Sequence, residues 1–325
     1  MMAPFQTILK EPKAGKIKSA APKAGTGFGA AGMKVSGPLH TRGVKLSNAV
    51  HKDGCVLISN ALSPDLADTL RAHILEQQDI ALANSESDPA SRSTYYGLEP
   101  GRKNRYDLLL SLMRGGYEAD TCKDHPVADA LQELLGSSGS MRAMFEQLCT
   151  DNGLLYEMAA TITYPGSARQ MVHPDLPFQD EAPLYVVFLA LQDITEDMGP
   201  TTFFLGSQTK KTRVKFDDRR TRDELLRAPH CLATLKKGDA VCFDARVLHC
   251  GGANDELLGS CRVLFNFSFR NPKAPGDMGY PASVRPRYEA VMSLSDISDS
   301  LTEYKEGNPD PFSRYGNGAD FVQIE

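Results

Sequence analysis

The sequence predicts a mostly β protein with helices on one flank, in which a β-sandwich or barrel forms the core. Two observations support this fold class. Apolar residues at helical spacing are concentrated before residue 150, and short β-rich runs separated by Gly, Pro and Asp turns follow from residue 155. Helices followed by many short strands are typical of this class, whereas a parallel sheet would require strands and helices to alternate.

The helical flank is expected to begin shortly after a short β-rich run, GCVLIS, where ordered structure should start. Ser63 is a suitable N-cap and Pro64 suits the first helical position, so a helix is predicted over 64–84. The polar segment 85–105 is interpreted as a long loop, and a second helical region, interrupted by GSSGS, is predicted over 126–149.

The β core is predicted to consist of five runs of β-branched and aromatic residues, which lie within about residues 154–272. They are LYEMAATITY, LYVVFLALQD, TTFFLG, AVCFDARVLH and RVLFNFSF. The Phe residues of these runs are expected to pack in the core. We therefore expect one domain over residues 46–295, with the helices before the strands.

Both ends of the chain are predicted to lie outside this domain. Residues 1–45 contain eight Lys or Arg residues against a single acid and have no apolar periodicity, which indicates a disordered basic tail. An organelle transit peptide is the alternative interpretation of this segment. Residues 296–325 are expected to form a polar C-terminal tail.

Composition excludes several classes of protein. The 325 residues carry a formal charge of −5, which disfavours a general nucleic-acid binder. No apolar run reaches the length of about 18 residues that a membrane-spanning helix needs. Seven cysteines without a C-x-x-C pair are typical of a reducing compartment. We expect a cytoplasmic monomer or homodimer that acts on a small molecule.

Candidate metal ligands stand at two places in the β-rich half. In MVHPDLPF, His173 and Asp175 are two residues apart, so on a strand both side chains would point to one face. His249 ends the run AVCFDARVLH. Two histidines and one carboxylate on one side of a metal are typical of non-haem Fe(II) oxygenases, whose open positions admit a co-substrate and O₂.

Arg262 opens the apolar strand RVLFNFSF, 13 residues after His249. A buried arginine needs an anionic partner, and its planar guanidinium suits a carboxylate. That carboxylate could belong to a co-substrate. Alternatively, Asp244 or Asp255 could pair with Arg262 for stability.

Together these residues make the chain resemble the phytanoyl-CoA dioxygenase family, a branch of the Fe(II)/2-oxoglutarate-dependent oxygenases. The resemblance covers roughly residues 50–275, and it rests on five elements in order: HPD at 173–175, His249, Arg262, MGPTTFFLGSQ at 198–208 and KKGDAVCFDARVLHCGGAND at 236–255. Leu205 and Gln208 replace a Pro and a His that are usual in the family. The resemblance implies a double-stranded β-helix, or jelly-roll, core.

The resemblance also implies a role for each candidate residue. His173, Asp175 and His249 would bind Fe(II), and Arg262 would hold the distal carboxylate of 2-oxoglutarate. Gln170 would contact the same co-substrate, although a polar turn residue is an equal alternative. O₂ would be the oxidant, and ascorbate is expected to stimulate turnover.

The resemblance further implies that the enzyme oxidises an unactivated C–H bond by hydroxylation, desaturation or oxidative cyclisation, releasing succinate and CO₂. Arg102 and Arg105 lie in a cationic loop that would suit a substrate carboxylate or phosphate. A narrower hypothesis, within specialised metabolism, is kainoid-type cyclisation of an N-prenylated glutamate derivative. The alternatives are a peptide- or protein-modifying oxygenase and a metal-binding β-barrel without turnover.

Overall fold

The chain folds around two antiparallel β-sheets. The structure, a computed structural model, describes residues 39–97, 103–112, 125–274, 276–279, 281–285, 288–308 and 311–315. The larger sheet has six strands in the order β1-β7-β4-β9-β3-β2, and the smaller has three in the order β6-β5-β8. All the paired strands are antiparallel. The prediction of a mostly β double-stranded β-helix with flanking helices is therefore confirmed.

The strands begin close to where the sequence predicts them. The bounds are β1 Cys55–Ile58, β2 Arg105–Leu109, β3 Leu154–Thr163, β4 Leu184–Ala190, β5 Thr201–Phe203, β6 Cys231–Leu232, β7 Ala240–Asp244, β8 His249–Gly251 and β9 Arg262–Arg270. One predicted strand is wrong: the run AVCFDARVLH forms two strands, β7 and β8, which belong to different sheets. The turn between them follows from Asp244, whose side chain accepts hydrogen bonds from the backbone and guanidinium of Arg246.

Eight helices of the described residues flank the sheets. They are α1 Leu39–Asp53, α2 Pro64–Ser87, α3 Arg92–Tyr95, α4 Pro126–Leu135, α5 Arg142–Cys149, α6 Lys210–Asp217, α7 Arg219–Leu226 and α8 Leu294–Lys305. The predicted helices at 64–84 and 126–149 are confirmed, with a break at GSSGS between α4 and α5. In the described part of the chain no helix is both long enough and apolar enough to cross a bilayer.

Strand β9 separates the helix-covered core from the space between the sheets. Its odd-numbered residues Phe265, Phe267 and Phe269 are fully buried in the core that includes Phe145 of α5. Because side chains alternate along a strand, the even-numbered residues, beginning with Arg262, face the interior between the two sheets. This face carries the candidate site residues.

The N-terminal boundary of the predicted domain is wrong. Helix α1 begins at Leu39, inside the segment expected to be a tail, and ends before the predicted start of order at GCVLIS. Leu46 and Val50 of α1 are fully buried. The sequence did not predict this helix, because Leu46 and Val50 are its main buried apolar residues. Two such residues are too few to show a helical periodicity. Residues 1–38 of the predicted tail lie outside the described residues.

The predicted C-terminal tail also contributes to the fold. Helix α8 begins with a capping box formed by Ser293 and Asp296, and it buries Ile297 and Leu301. Beyond the helix, Phe312 is 1% exposed. Polar residues between these apolar ones made the segment look like a tail, although one helical face is apolar.

The predicted long loop over 85–105 is mostly wrong. Helix α2 continues to Ser87, a short helix α3 follows, and Tyr95 and Tyr96 are buried beside it. Arg105 is the first residue of β2, which pairs with β3. The polar composition of this segment predicted a loop. Composition carries no information on long-range strand pairing, so the pairing of β2 with β3 could not be predicted from it.

Candidate active site

A cavity of about 230 Å³ lies between the two sheets. One part of its wall consists of polar side chains from β2, β3 and β9, and another of Val186 and Phe188 from β4. His173, Asp175 and His249 line the same cavity. The three residues that the sequence proposes as metal ligands are therefore in the cavity and close together.

His173 and His249 are joined through their backbones. The His173 amide donates to the His249 carbonyl at 2.9 Å, and the His249 amide donates to the His173 carbonyl, also at 2.9 Å. Asp175 is anchored in turn, because its amide donates to the carbonyl of Ala245 at 3.0 Å. The rings of the two histidines lie 4.8 Å apart, measured between their centroids. Residues distant in sequence are thus held in a fixed register.

The ring nitrogens fit a divalent metal. Nδ1 of His173 lies 2.7 Å from the carbonyl of Met171, and Nδ1 of His249 lies 3.0 Å from the carbonyl of Val247. Nδ1 can donate in both contacts, which leaves each Nε2 with a lone pair for a metal ion. Oδ1 of Asp175 lies 3.7 Å from Nε2 of His173 and 3.3 Å from Nε2 of His249. One potential ligand atom from each residue lies within 4.8 Å of the others.

The charge of Asp175 fits a metal ligand. Burial raises the pKa of the Asp175 carboxyl, but His249 and His173 outweigh it and hold this pKa below its usual value. Burial lowers the pKa of His249, but Asp175 outweighs it and raises this pKa overall. Asp175 is therefore ionised at neutral pH, as a carboxylate ligand must be.

The local structure around the candidate ligands differs from the prediction in one respect. His173 forms an isolated bridge and not part of a strand, and His249 begins β8 instead of ending β7. Aromatic rings nevertheless fix the His249 ring: Phe203 stacks on it at 5.7 Å and Phe243 lies at 5.0 Å, between centroids. Cys250, the next residue, is fully buried.

Gly251 allows two polar side chains to approach β8. A Cβ at this position would lie 2.6 Å from Nη1 of Arg105 and 2.8 Å from Oε1 of Gln170. Oε1 of Gln170 accepts a hydrogen bond from the backbone amide of Gly251 at 2.8 Å. The backbone amide of Gln170 donates to the carbonyl of Gly251 at 2.9 Å. Gln170, predicted to contact the co-substrate, is therefore fixed at the cavity wall with its Nε2 as the remaining donor.

Arg262 is one of the most deeply buried side chains, with 1% exposure. Its Nη1 donates to the carbonyl of Gly199, whereas Nε is buried without a partner among the described residues. Burial, followed by the charge of Arg105, lowers the pKa of Arg262 to about 9. Phe188 and Thr201 line both the cavity and the apolar recess that contains Arg262. Arg262 belongs to this recess and is not among the residues that line the cavity, and its unpartnered donor fits an anionic group such as a carboxylate.

Neither aspartate that could have paired with Arg262 does so. Asp244 binds Arg246, with Oδ2 at 2.7 Å from Nη2. Asp255 accepts hydrogen bonds from the amides of Leu257 and Leu258 at 2.8 and 2.9 Å. The stability interpretation of Arg262 therefore loses both proposed partners.

The two predicted substrate contacts, Arg102 and Arg105, are placed differently. Arg105 lines the cavity from β2. Its guanidinium lies so close to Gly251 that a side chain at that position would clash with it. Arg102 lies outside the described residues. Of the predicted cationic loop, Arg105 is thus the first residue of β2 and part of the cavity wall.

Sequence reasoning missed several polar residues that line the cavity, among them Asp107, Glu157 and Asn266. Burial, and then the charge of Asp175, raises the pKa of Glu157 to about 8. The available signal was a polar residue at alternate positions of an otherwise apolar strand, as Asn266 is in RVLFNFSF. Which strands share that cavity depends on sheet pairing, which the alternation itself does not reveal.

Known proteins resemble this chain over most of its length. The Fe(II)/2-oxoglutarate-dependent dioxygenase nvfF of Aspergillus novofumigatus (strain IBT 16806) is 22% identical over 283 residues, which are 82% of this chain and 84% of that protein. Among solved structures, the non-heme alpha ketoglutarate dependent carbocyclase SnoK from nogalamycin biosynthesis is 15% identical, with a TM-score of 0.48 over 74% of this chain and 87% of SnoK. AviO1 from Streptomyces viridochromogenes Tue57 is 18% identical, with a TM-score of 0.47 over 72% and 96% of the two chains.

A family model gives the decisive comparison. The model for phytanoyl-CoA dioxygenase (PhyH) matches residues 50–255, well over half of the chain. This range includes the three residues that converge at the cavity and the two motifs around them. The chain belongs to the phytanoyl-CoA dioxygenase family and is an Fe(II)/2-oxoglutarate-dependent dioxygenase.

Proposed function

We propose that His173, Asp175 and His249 bind one Fe(II) in the cavity, and that the enzyme oxidises an unactivated C–H bond of a small molecule. The convergence of the two Nε2 atoms and Oδ1 within 4.8 Å is the observation that carries this proposal. The Nδ1 contacts to backbone carbonyls support it, because such contacts orient histidine ligands in metalloproteins.

We assign the co-substrate to two further residues. Arg262 binds the distal carboxylate of 2-oxoglutarate, because its buried Nε has no other described partner. Gln170 donates from Nε2 to the same molecule, since its Oε1 is held by Gly251. Bound Fe(II) supplies the activation of O₂, coupled to conversion of 2-oxoglutarate to succinate and CO₂, and the protein supplies position and exclusion of water.

The substrate is a small molecule, for which a cavity of about 230 Å³ has room. Arg105 contacts an anionic group of this substrate. Hydroxylation, desaturation and oxidative cyclisation remain three outcomes of the same oxidation. Kainoid-type cyclisation of an N-prenylated glutamate derivative stays a narrower prediction within specialised metabolism, and the acids Asp107 and Glu157 in the cavity do not favour a substrate with several carboxylates.

A succinate assay tests the proposal. Purified protein is incubated with Fe(II), ascorbate, 2-oxoglutarate and O₂, alone and with pools of small molecules or of peptides. We expect succinate release that one or more small-molecule pools stimulate, and that His249→Ala abolishes. Stimulation by peptides alone would overturn the small-molecule assignment. Equal succinate release by His249→Ala would overturn the metal site.

A further inference from the structure

We propose that Glu157 is a specificity-determining residue that binds a protonated amine of the substrate beside the metal site. This inference rests on the proposed function and specifies the chemical class of its substrate. It concerns a part of the cavity wall, formed by β2, β3 and β9, to which neither the metal nor 2-oxoglutarate is assigned.

A β-bulge directs Glu157 into the cavity. In the pairing of β3 with β9, Leu155 lies opposite Phe269, but Glu157 lies opposite Ser268, so the register shifts by one residue between them. Without this shift, Leu155 and Glu157 would face the same side of the sheet. With it, Leu155 is buried in the helix-covered core, and Glu157 lines the cavity. Bulges beside active sites commonly redirect a side chain in this way.

The wall around Glu157 has more hydrogen-bond acceptors than donors. Oε2 of Glu157 is buried, and the donor beside it in the described ranges is the Ser268 hydroxyl, which lies opposite Glu157 in the β3–β9 pairing. Oδ1 of Asn266, another cavity residue, is buried without a donor among the described residues, while its Nδ2 donates to the Thr161 hydroxyl at 2.5 Å. One hydroxyl cannot satisfy both acceptors, so this wall favours a ligand that donates hydrogen bonds, because a buried acceptor left unsatisfied is costly.

Charge selects an amine over a hydroxyl group. The acids that line the cavity are Asp107, Glu157 and Asp175, and the basic groups are Arg105, His173 and His249, of which Asp175 and the two histidines are assigned to the metal. Glu157 forms no ion pair with a basic residue in the described ranges, and a protonated amine beside it would favour its ionised form, although its pKa is raised in the free protein. A protonated amine supplies both the missing donor and the missing positive charge, and a charge-assisted hydrogen bond is stronger than a neutral one.

The test compares three probes of equal chain length: n-hexylamine, 1-hexanol and hexanoate. Each is titrated at pH 8.5, where Glu157 is mostly ionised and the amine is still protonated, into anaerobic holoenzyme loaded with Fe(II) and 2-oxoglutarate, and Kd is measured by saturation-transfer NMR. We expect the amine to bind at least about 10-fold more tightly than the alcohol, as one charge-assisted hydrogen bond implies, whereas hexanoate, which can bind to Arg105, should not depend on Glu157 for its affinity. In Glu157→Gln, the amine preference should fall to within about two-fold.

Control variants separate Glu157 from general electrostatics. Glu181→Gln removes one exposed carboxylate and should keep the amine preference of the unmodified enzyme. An unmodified enzyme without amine preference would overturn the proposal. So would a preference that survives Glu157→Gln and disappears in Asp107→Asn, because the other acid of the cavity would then bind the amine.

Failure of this proposal can be distinguished from failure of the proposed function. The 2-oxoglutarate affinity of Glu157→Gln, measured in the same samples, should match that of the unmodified enzyme, which also verifies that the variant is folded. If neither protein binds Fe(II) or 2-oxoglutarate, the proposed function fails. The amine preference is then measured on metal-free protein, where its presence or absence still decides the role of Glu157.

Discussion

Two buried arginines, Arg246 and Arg262, have opposite surroundings in the same β-sandwich. Arg246 is 12% exposed at its side chain, binds both oxygens of Asp244 and lies over the ring of Phe178. Arg262 is 1% exposed, and its described hydrogen bond is to the carbonyl of Gly199. The guanidinium of Arg246 is thus paired with an acid of the protein, whereas that of Arg262 has no acidic partner among the described residues.

This difference distinguishes a charged side chain that stabilises the fold from one that is available to bind a ligand. A buried ion pair with complete hydrogen bonding stabilises the turn in which it lies, and it offers nothing to a ligand. A buried guanidinium without an acid costs stability in the free protein, and it recovers that cost when an anion binds. The same contrast applies to the acids, since Asp244 is paired with Arg246 and Glu157 has no basic partner in the described ranges.

The largest expected effect is on metal binding. Asp175→Ala removes one of three proposed protein ligands, so we expect metal affinity and succinate release to fall by at least about 100-fold. Asp244→Ala removes a more deeply buried carboxylate that has a partner, and it should retain the metal. Metal content after dialysis, measured by elemental analysis, checks both variants. Full metal content in Asp175→Ala would contradict the assignment.

The next effect is on 2-oxoglutarate. Arg262→Lys should weaken its binding by about 10- to 100-fold, because lysine cannot offer two parallel donors to a carboxylate. Arg246→Lys is the matched control and should change this Kd by less than about two-fold. Isothermal titration under anaerobic conditions measures both. Equal Kd values in the two variants would remove the distinction between the arginines.

For the free energy of unfolding, we expect the opposite order: loss of the Asp244–Arg246 pair should cost more than loss of Arg262. Asp244→Asn leaves Arg246 without its charged partner, and we expect a loss of about 3 kcal/mol in the free energy of unfolding. Arg262→Met removes a charge that has no acidic partner among the described residues, so metal-free protein should unfold at the same or a higher urea concentration. Urea titrations followed by circular dichroism measure both. A large loss of stability in Arg262→Met would mean that Arg262 is structural.

The smallest expected effect is a pH dependence of stability due to Glu157. Its pKa is raised to about 8, above the ordinary value of 4.5, so the folded protein binds more protons than the unfolded one between these values. Stability therefore falls as pH rises from about 5 to about 8. Because cavity water weakens the burial effect, we expect Glu157→Gln to gain about 1–2 kcal/mol relative to the unmodified, metal-free protein across this range.

Melting curves of both proteins at several pH values measure this difference. Metal loading should reduce it, because Asp175 is the second cause of the raised pKa and a bound cation would offset its charge. A difference that does not change with pH would mean that Glu157 titrates as an exposed carboxyl group.

Residues that act by local spacing could be predicted from the sequence. His173 and Asp175 are two apart, His249 ends one predicted β-rich run and Arg262 opens the next, so their order was visible and suggested a metal centre with an anion site. Site residues whose position depends on sheet pairing could not be predicted from the sequence. Glu157 faces the cavity because a bulge shifts its register, and no local feature of LYEMAATITY shows this bulge.

The ends of the domain were mispredicted for a related reason. Helix α1 and helix α8 each have a narrow apolar face, and their stability comes from packing against the rest of the molecule. Gln208 illustrates this dependence: it replaces the histidine that is usual in the family, and its Nε2 donates to the carbonyls of His51 and Lys52 at the end of α1. The substitution was visible in the sequence, but its partner was not.

The most direct test of the account is anomalous X-ray diffraction at the iron edge, from crystals grown anaerobically with Fe(II) and 2-oxoglutarate. We predict one iron peak per chain, bound by Nε2 of His173, Nε2 of His249 and an oxygen of Asp175, and density for 2-oxoglutarate whose distal carboxylate meets Arg262. An iron peak elsewhere, or 2-oxoglutarate density that does not reach Arg262, would contradict the account.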